Sequence, residues 1–147
     1  MKKFKKIALL VATAAMVLGA TTSVFAASTN SDTIILDGKG YAECYLSVGN
    51  NRADAETYVY SDYSNVPITS YVDVSLTLTY GNHDREADGG SDWDRQNVID
   101  SSSEAIVGVV VSPGVNTGAY ARSNHTAEID GVDGYCGMYA SYGNVND

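Results

Sequence analysis

Residues 71–80 read YVDVSLTLTY, and this stretch decides the fold class. Apolar and polar side chains alternate along it, Val72, Val74, Leu76 and Leu78 against Asp73, Ser75, Thr77 and Thr79. Because successive side chains of a strand point to opposite faces, the pattern predicts a strand with one buried and one wet face. Strands of this kind are typical of antiparallel sheets.

Shorter alternating stretches lie on both sides of this strand. They predict strands at 32–37, 39–48, 54–60, 118–129 and 135–142, separated by clusters of Gly, Asn, Asp and Pro. A continuous apolar run at 106–111 predicts a further strand that is covered on both faces or lies in the middle of a sheet. Residues 81–97 have no period and are predicted to form a long exposed loop, and residues 101–105 could hold one helical turn. About seven short strands without a useful helix predict an all-β, single-domain antiparallel β-sandwich, with a small closed β-barrel as the alternative.

The first 26 residues have the parts of an export signal. Four lysines precede an uncharged stretch at 7–20, and Val24 and Ala26 are small residues at the positions that signal peptidase reads. A membrane span needs about 20 apolar residues, and Thr13 and Gly19 interrupt this shorter stretch. We therefore predict a signal peptide at 1–26, a flexible N-terminus at 27–31 and a sandwich domain at 32–147. The protein is predicted to be secreted and extracellular, without a membrane span.

The charge of the chain excludes one class of partner. Cleavage after Ala26 would leave 121 of the 147 residues and move the formal charge from −9 to −13. Nucleic acids are bound through basic groups that neutralise phosphates, so no nucleic-acid partner is expected.

Two cysteines remain in the mature chain. An even count in a small exported domain predicts one disulfide, between Cys44 and Cys136. The strand phases agree, because each cysteine lies on the face of its strand that carries no tyrosine. Two buried free thiols are the alternative.

The segment 84–94 is rich in aspartate and glycine. Calcium needs six to eight oxygen ligands, and Asp84, Asp88 and Asp92 are candidate ligands in such a loop, although their spacing is not that of an EF-hand. A solvated loop without an ion is the alternative. No other cofactor is expected, because the two histidines have no Cys or Asp at the spacing of a zinc site.

Trp93, the only tryptophan, lies between Asp92 and Asp94. An aromatic ring beside carboxylates is suited to stack on a sugar ring or to anchor a protein interface. The alternative is that Trp93 folds back and closes one end of the sandwich. Tyr120 and His125 complete the candidate binding residues, and a buried, hydrogen-bonded histidine beside small residues is the alternative for His125. Ser123 lies two residues from His125, but no third group orients the pair, so no catalytic residue is predicted and the chain is predicted not to be an enzyme.

Residues 119–127, AYARSNHTA, are followed by Gly131 and a last strand that contains Tyr135. These residues resemble the C-terminal pattern of small exported β-sandwich proteins of Gram-positive bacteria, most of them without an assigned function. The nearest group with an activity is the lactococcin 972-like bacteriocins, which act on cell-wall synthesis in neighbouring cells. We therefore expect a secreted binding protein of a Gram-positive bacterium that meets an extracellular protein or glycan, or alternatively a bacteriocin-like factor.

Overall fold

The computed structural model describes residues 28–96 and 102–146. The predicted signal peptide, residues 1–26, and its cleavage point before Ala27 lie outside these ranges. Across the two ranges there is no helix of the length and apolarity that a membrane crossing requires.

Eight strands form two four-stranded antiparallel sheets that pack face to face. The strands are β1 (Ser28–Leu36), β2 (Gly40–Gly49), β3 (Arg52–Ser61), β4 (Ile68–Tyr80), β5 (His83–Gln96), β6 (Ser102–Val110), β7 (Gly118–Ile129) and β8 (Val132–Gly143). Sheet A has the order β1-β2-β3-β6 and sheet B the order β5-β4-β7-β8. The predicted all-β antiparallel sandwich is confirmed, and the sheets do not close into the alternative barrel.

The strand that the sequence did not predict is β5, whose residues were expected to form an exposed loop. It pairs with β4 from the turn as far as Gln96, and Ala87 forms a bulge where the register shifts. As an edge strand, β5 needs polar side chains to discourage pairing with other chains, and the bulge interrupts the alternation. Both features make the sequence of β5 resemble that of a loop.

Two other predicted boundaries are wrong. β1 begins at Ser28, so residues 28–31, predicted to be flexible, instead pair with residues 45–48 of β2. β6 begins at Ser102, where a helical turn was considered, because pairing with β3 extends the strand. The apolar run at 106–111 suggested a strand covered on both faces, but β6 is an edge strand, and Ile106 and Val110 are 42% and 60% exposed.

The core lies between the sheets and is built from the inward members of the alternating strands. The strand that decides the fold contributes Val72, Val74, Leu76 and Leu78, all of them buried. Full burial of such a side chain stabilises the fold by roughly 1.5–3 kcal/mol. The alternation read from the sequence of β4 therefore gives its inner and outer faces correctly.

Polar side chains join the edge strands of the two sheets. At one edge, Asn30 Nδ2 of β1 donates a hydrogen bond to the carbonyl of Tyr139 in β8. At the other edge, Asp92 Oδ2 of β5 accepts the backbone N–H of Ile106 in β6, at 3.0 Å. Edge strands otherwise leave backbone groups unpaired, so these bonds both satisfy the edges and hold the sheets in register.

Cys44 and Cys136 meet between the sheets, as the strand phases predict, but both are free thiols. Their side chains are in hydrogen-bond contact, and the Cys136 thiol also donates to Asp32 Oδ2 at 3.3 Å. Burial is the main reason that the pKa of Cys44 is raised. The predicted disulfide is not formed in this structure, which has the alternative of two buried free thiols.

A two-residue turn, Asp130–Gly131, joins β7 to β8. Both residues have positive φ, 50° and 78°, as the tight turns of hairpins require. The turn places Ile129 opposite Val132, and it consequently places Thr126 opposite Tyr135. This register determines which side chains of the last two strands share the outer face of sheet B.

Candidate binding face

One row of side chains crosses all four strands on the outer face of sheet B. We call it the aromatic row, and it consists of Trp93 on β5, Tyr71 on β4, Thr126 on β7 and Tyr135 on β8, each paired with the next. Adjacent strands are about 4.8 Å apart, so the row extends about 14 Å across the sheet. Trp93 and Tyr135, at its two ends, are each 66% exposed.

A chain of hydrogen bonds fixes the groups beside the aromatic row. The Tyr71 hydroxyl donates to Asp73 Oδ2 at 3.1 Å, and Asn124 Nδ2 donates to Asp73 Oδ1 at 2.8 Å. The Tyr135 hydroxyl donates to Asn124 Oδ1 at 2.7 Å. The pKa of Tyr71 is raised, first by burial and then by its bond to Asp73. Tyr71 on β4 and Tyr135 on β8, with only β7 between the two strands, are thereby held by one carboxylate and one amide.

Gly137 gives Tyr135 the room to reach Asn124. The two residues Asn124 and Gly137 are paired across β7 and β8. A Cβ added at Gly137 would lie 3.1 Å from the Tyr135 hydroxyl oxygen, which is tighter than ordinary contact. The Tyr135 side chain therefore lies over the backbone of its own strand, close to the sheet.

A second aromatic group lies farther along the same face. Tyr120 and Tyr139 are 5.7 Å apart between ring centroids, and the Arg122 guanidinium is 5.8 Å from the Tyr120 ring centroid. Tyr120 is paired with Thr77, which is six residues from Tyr71 on β4, or roughly 20 Å along the strand. The predicted binding residues Tyr120 and Trp93 therefore share a face but lie at its two ends.

Asp92 and Asp94 do not join Trp93 on this face. Asp92 accepts the Ile106 N–H, and Asp94 Oδ2 accepts the Ser103 hydroxyl at 3.0 Å. Both carboxylates point to the inner side of β5, because neighbouring residues of a strand project to opposite faces. The prediction that they form one site with Trp93 is wrong, and their role is to join β5 to β6.

His125 is also absent from the surface. It is fully buried, with Ser123 Oγ 2.7 Å from Nε2 and Thr57 Oγ1 2.8 Å from Nδ1. The Thr57 hydroxyl donates its proton to the Tyr71 carbonyl at 2.8 Å, so it must accept from Nδ1–H, and Ser123 must donate to Nε2. Burial lowers the pKa of His125 to about 4. The histidine is thus a neutral, fully hydrogen-bonded link between β3 and β7.

The same geometry decides what Ser123 and His125 can do chemically. A hydroxyl that donates to an imidazole is the arrangement of a nucleophile and its base. However, Ser123 is only 2% exposed and the third partner, Thr57, is fully buried and carries no charge. A substrate could not reach this serine without separation of the sheets.

The three candidate calcium ligands lie at separate places along β5. Asp84 accepts a hydrogen bond from Asn146 at 3.0 Å, and Asp88 accepts one from the N–H of Gly89 at 2.8 Å. Asp84 and Asp92 are eight residues apart in an extended strand, which corresponds to roughly 26 Å. In the described part of the chain, no group of three or more His, Cys, Asp or Glu side chains could hold a metal ion.

Most of the candidate face was missed at the sequence level. Tyr71 and Asp73 belong to the wet face of the first strand identified, and Tyr135 belongs to a tyrosine pair with Tyr139, so their orientation was readable. Their position beside Trp93 could not be read from the sequence, because it requires β5 to be a strand that pairs with β4.

Comparison with known proteins does not assign a function to this chain. No family model matches the chain, and no curated protein matches it. Two solved structures are similar in part. The GAE domain of GGA2p from Saccharomyces cerevisiae has 11% identity and a TM-score of 0.31, with 79% of this chain and 100% of that chain covered. Spo0M, a sporulation control protein from Bacillus subtilis, has 10% identity and a TM-score of 0.33, with 76% and 48% covered.

Proposed function

We propose that this chain is a secreted, non-enzymatic binding protein that recognises a neutral glycan through the aromatic row and the Asp73–Asn124 pair. The observation that carries the proposal is the exposure of Trp93 and Tyr135 at the two ends of one row, with fixed polar groups between them. Rings stack on the apolar face of a sugar, and carboxylate and amide groups bind its hydroxyls.

The size of the face and the charge of the chain support a glycan in preference to other ligands. A row of about 14 Å is long enough for two to three linked sugar rings. The predicted formal charge of −13 after signal cleavage disfavours phosphorylated and other anionic ligands. The residues of the row come from strands rather than loops, so little conformational entropy is lost when a ligand binds.

The proposal includes export by a Gram-positive bacterium, supported by the lysine-rich start and by Val24 and Ala26 before the predicted cleavage point. A bacteriocin-like role is the second candidate. The segment that resembles exported Gram-positive proteins is the body of β7, whose outward residues Asn124 and Thr126 lie in the middle of the candidate face. A bacteriocin of this kind would use the same face to bind cell-wall material.

A glycan array tests the binding role. We expect the purified protein to bind one class of neutral polysaccharide, and Trp93→Ala to abolish that binding. Tyr63→Ala is the matched control, because Tyr63 is 51% exposed but belongs to the loop after β3. Equal loss in both variants, or retention in Trp93→Ala, contradicts the proposed site. Inhibition of the growth of related bacteria by the wild type, abolished by Trp93→Ala, would select the bacteriocin-like role.

A further inference from the structure

The outer face of sheet A carries a cluster of three glutamates. One cross-strand row holds Glu43, Tyr58 and Glu104, and the adjacent row holds Tyr45, Glu56 and Ile106. Glu56 is therefore diagonal to both other glutamates, at a distance of roughly 7–8 Å between backbones, which long side chains can span. The cluster lies on the opposite side of the sandwich from the aromatic row.

Glu56 is the unusual member of the cluster. It projects from the solvent side of β3, yet it is only 6% exposed, and its Oε1 atom is buried without a hydrogen-bond partner among the described residues. The hydroxyl of Tyr45, its cross-strand neighbour, donates instead to Glu43 Oε2 at 2.9 Å. Buried carboxyl oxygens are nearly always hydrogen-bonded, so this atom indicates a missing partner.

Apart from Ile106, its cross-strand partner on β6, and Arg52 on its own strand, the groups around Glu56 on the outer face are acidic or aromatic. They are Glu43 and Tyr45 on β2, Asp54 and Tyr58 on β3, and Glu104 on β6. The Arg52 side chain, on the same face, forms an ion pair with Asp54. Burial and the neighbouring Glu104 carboxyl, which is hydrogen-bonded to Glu56, raise the pKa of Glu56 to about 7. The hydrogen bond places one proton between the carboxyl groups of Glu56 and Glu104, which reduces the repulsion between them. A bound cation would reduce the same repulsion.

The surroundings select the kind of cation. Calcium needs six or more oxygens, and the described chain holds no group of three side chains placed for a metal. A primary ammonium has three donors, which two carboxyl groups can accept, and a positive charge that the rings of Tyr45 and Tyr58 can attract. Glu104 is exposed, so an ammonium group can approach the buried Glu56 from the side of Glu104.

We propose that Glu56 and Glu104 bind the ammonium group of a lysine side chain on a partner polypeptide, at a site separate from the aromatic row. The acidic surface of the protein would draw such a basic partner toward this face. Binding replaces the proton shared by the two carboxyl groups, and that proton is released to solvent. The site therefore predicts binding that is coupled to proton release near neutral pH.

The probe is a pentapeptide with one central lysine flanked by glycine and serine, with both ends blocked. Calorimetry at pH 7 in two buffers of different ionisation enthalpy gives both affinity and the number of protons released. For the wild type we expect saturable binding with release of about half a proton, since the pKa of Glu56 is about 7. The same peptide with an acetylated lysine should not bind.

Glu56→Gln should bind at least tenfold more weakly and release no proton. Glu86→Gln is the control, because it removes the same charge from exposed β5 on the other sheet. Glu104→Gln, at the exposed member of the pair, should also bind the peptide more weakly. If Glu56→Gln fails to fold, this variant tests the site instead. Equal binding of the peptide by all three variants would overturn the proposed site, because it would show that the peptide is attracted to the acidic surface in general. Tighter binding of calcium than of the peptide, with the same proton release, would overturn the choice of an ammonium ligand.

Discussion

Trp93 and Tyr71 are direct cross-strand partners, and together they place the only tryptophan of the chain on the same row as Tyr135. The pairing makes Trp93 part of a flat sheet face rather than the tip of a mobile loop. Its exposed ring is thus held at a fixed position relative to the Asp73 and Asn124 groups. This arrangement is the basis of the proposed binding role.

The inward carboxylate of Asp92 should matter for stability rather than for ligand binding. Asp92→Ala removes the acceptor of the Ile106 N–H, and we expect a loss of about 0.5–1.5 kcal/mol in the free energy of unfolding. Asp84→Ala, whose carboxylate has an exposed partner in Asn146, should cost under about 0.5 kcal/mol. Urea unfolding of the two variants measures the difference. Equal costs would contradict the role of Asp92 as a link between the sheets.

The buried His125 should make the fold sensitive to acid. Its pKa in the folded protein is lowered from 6.5 to about 4, so the unfolded chain binds more protons between these values. Stability is therefore fully present above pH 6.5 and falls as the pH decreases to 4, by an amount on the order of 3 kcal/mol. Urea unfolding between pH 7 and 4 should lose this component in His125→Gln and keep it in His83→Gln. An unchanged pH profile in His125→Gln would refute the assignment.

Glu56 should have the opposite effect. Its pKa in the folded protein is raised from 4.5 to about 7, so the folded state binds more protons between these values. The wild type should lose stability as the pH rises through this interval, by up to about 3 kcal/mol. Glu56→Gln should consequently be more stable than the wild type at pH 8 and about equal to it at pH 4. A variant that is equally stabilised at both pH values would show that the carboxyl proton is not involved.

The two contacting thiols should form a disulfide when an oxidant is supplied. With oxidised glutathione, two protein thiols are converted to one disulfide and two molecules of glutathione are released. Closure of a loop of about 90 residues should then stabilise the fold by about 4–5 kcal/mol in the loop-entropy model. Thiol titration in denaturant should find two thiols before oxidation and none after it. Two thiols after prolonged oxidation would mean that the sulfur atoms cannot reach bonding distance.

The alternation of β4 and β7 was sufficient to predict the sandwich, because those central strands have one buried and one wet face. The same reasoning failed for β5, and for β6 it predicted a strand but not its position at the edge of the sheet. In β5 the bulge at Ala87 and the carboxylates that satisfy the facing strand replace apolar alternation with polar residues. The candidate face depends on the β4–β5 register, so an exposed Trp93 was one of two alternatives and its neighbours were not predicted.

The fluorescence of Trp93 tests the proposed binding face most directly, because the chain has no other tryptophan to contribute. Soluble oligosaccharides of several neutral classes, each of four to six sugars, are titrated into the purified protein while the emission of Trp93 and its quenching by acrylamide are followed. We predict that one class shifts the emission to shorter wavelength and protects the indole from acrylamide, and that Asp73→Ala weakens this response at least tenfold. Binding of an oligosaccharide, detected by calorimetry, without any change in Trp93 emission or quenching would contradict the account.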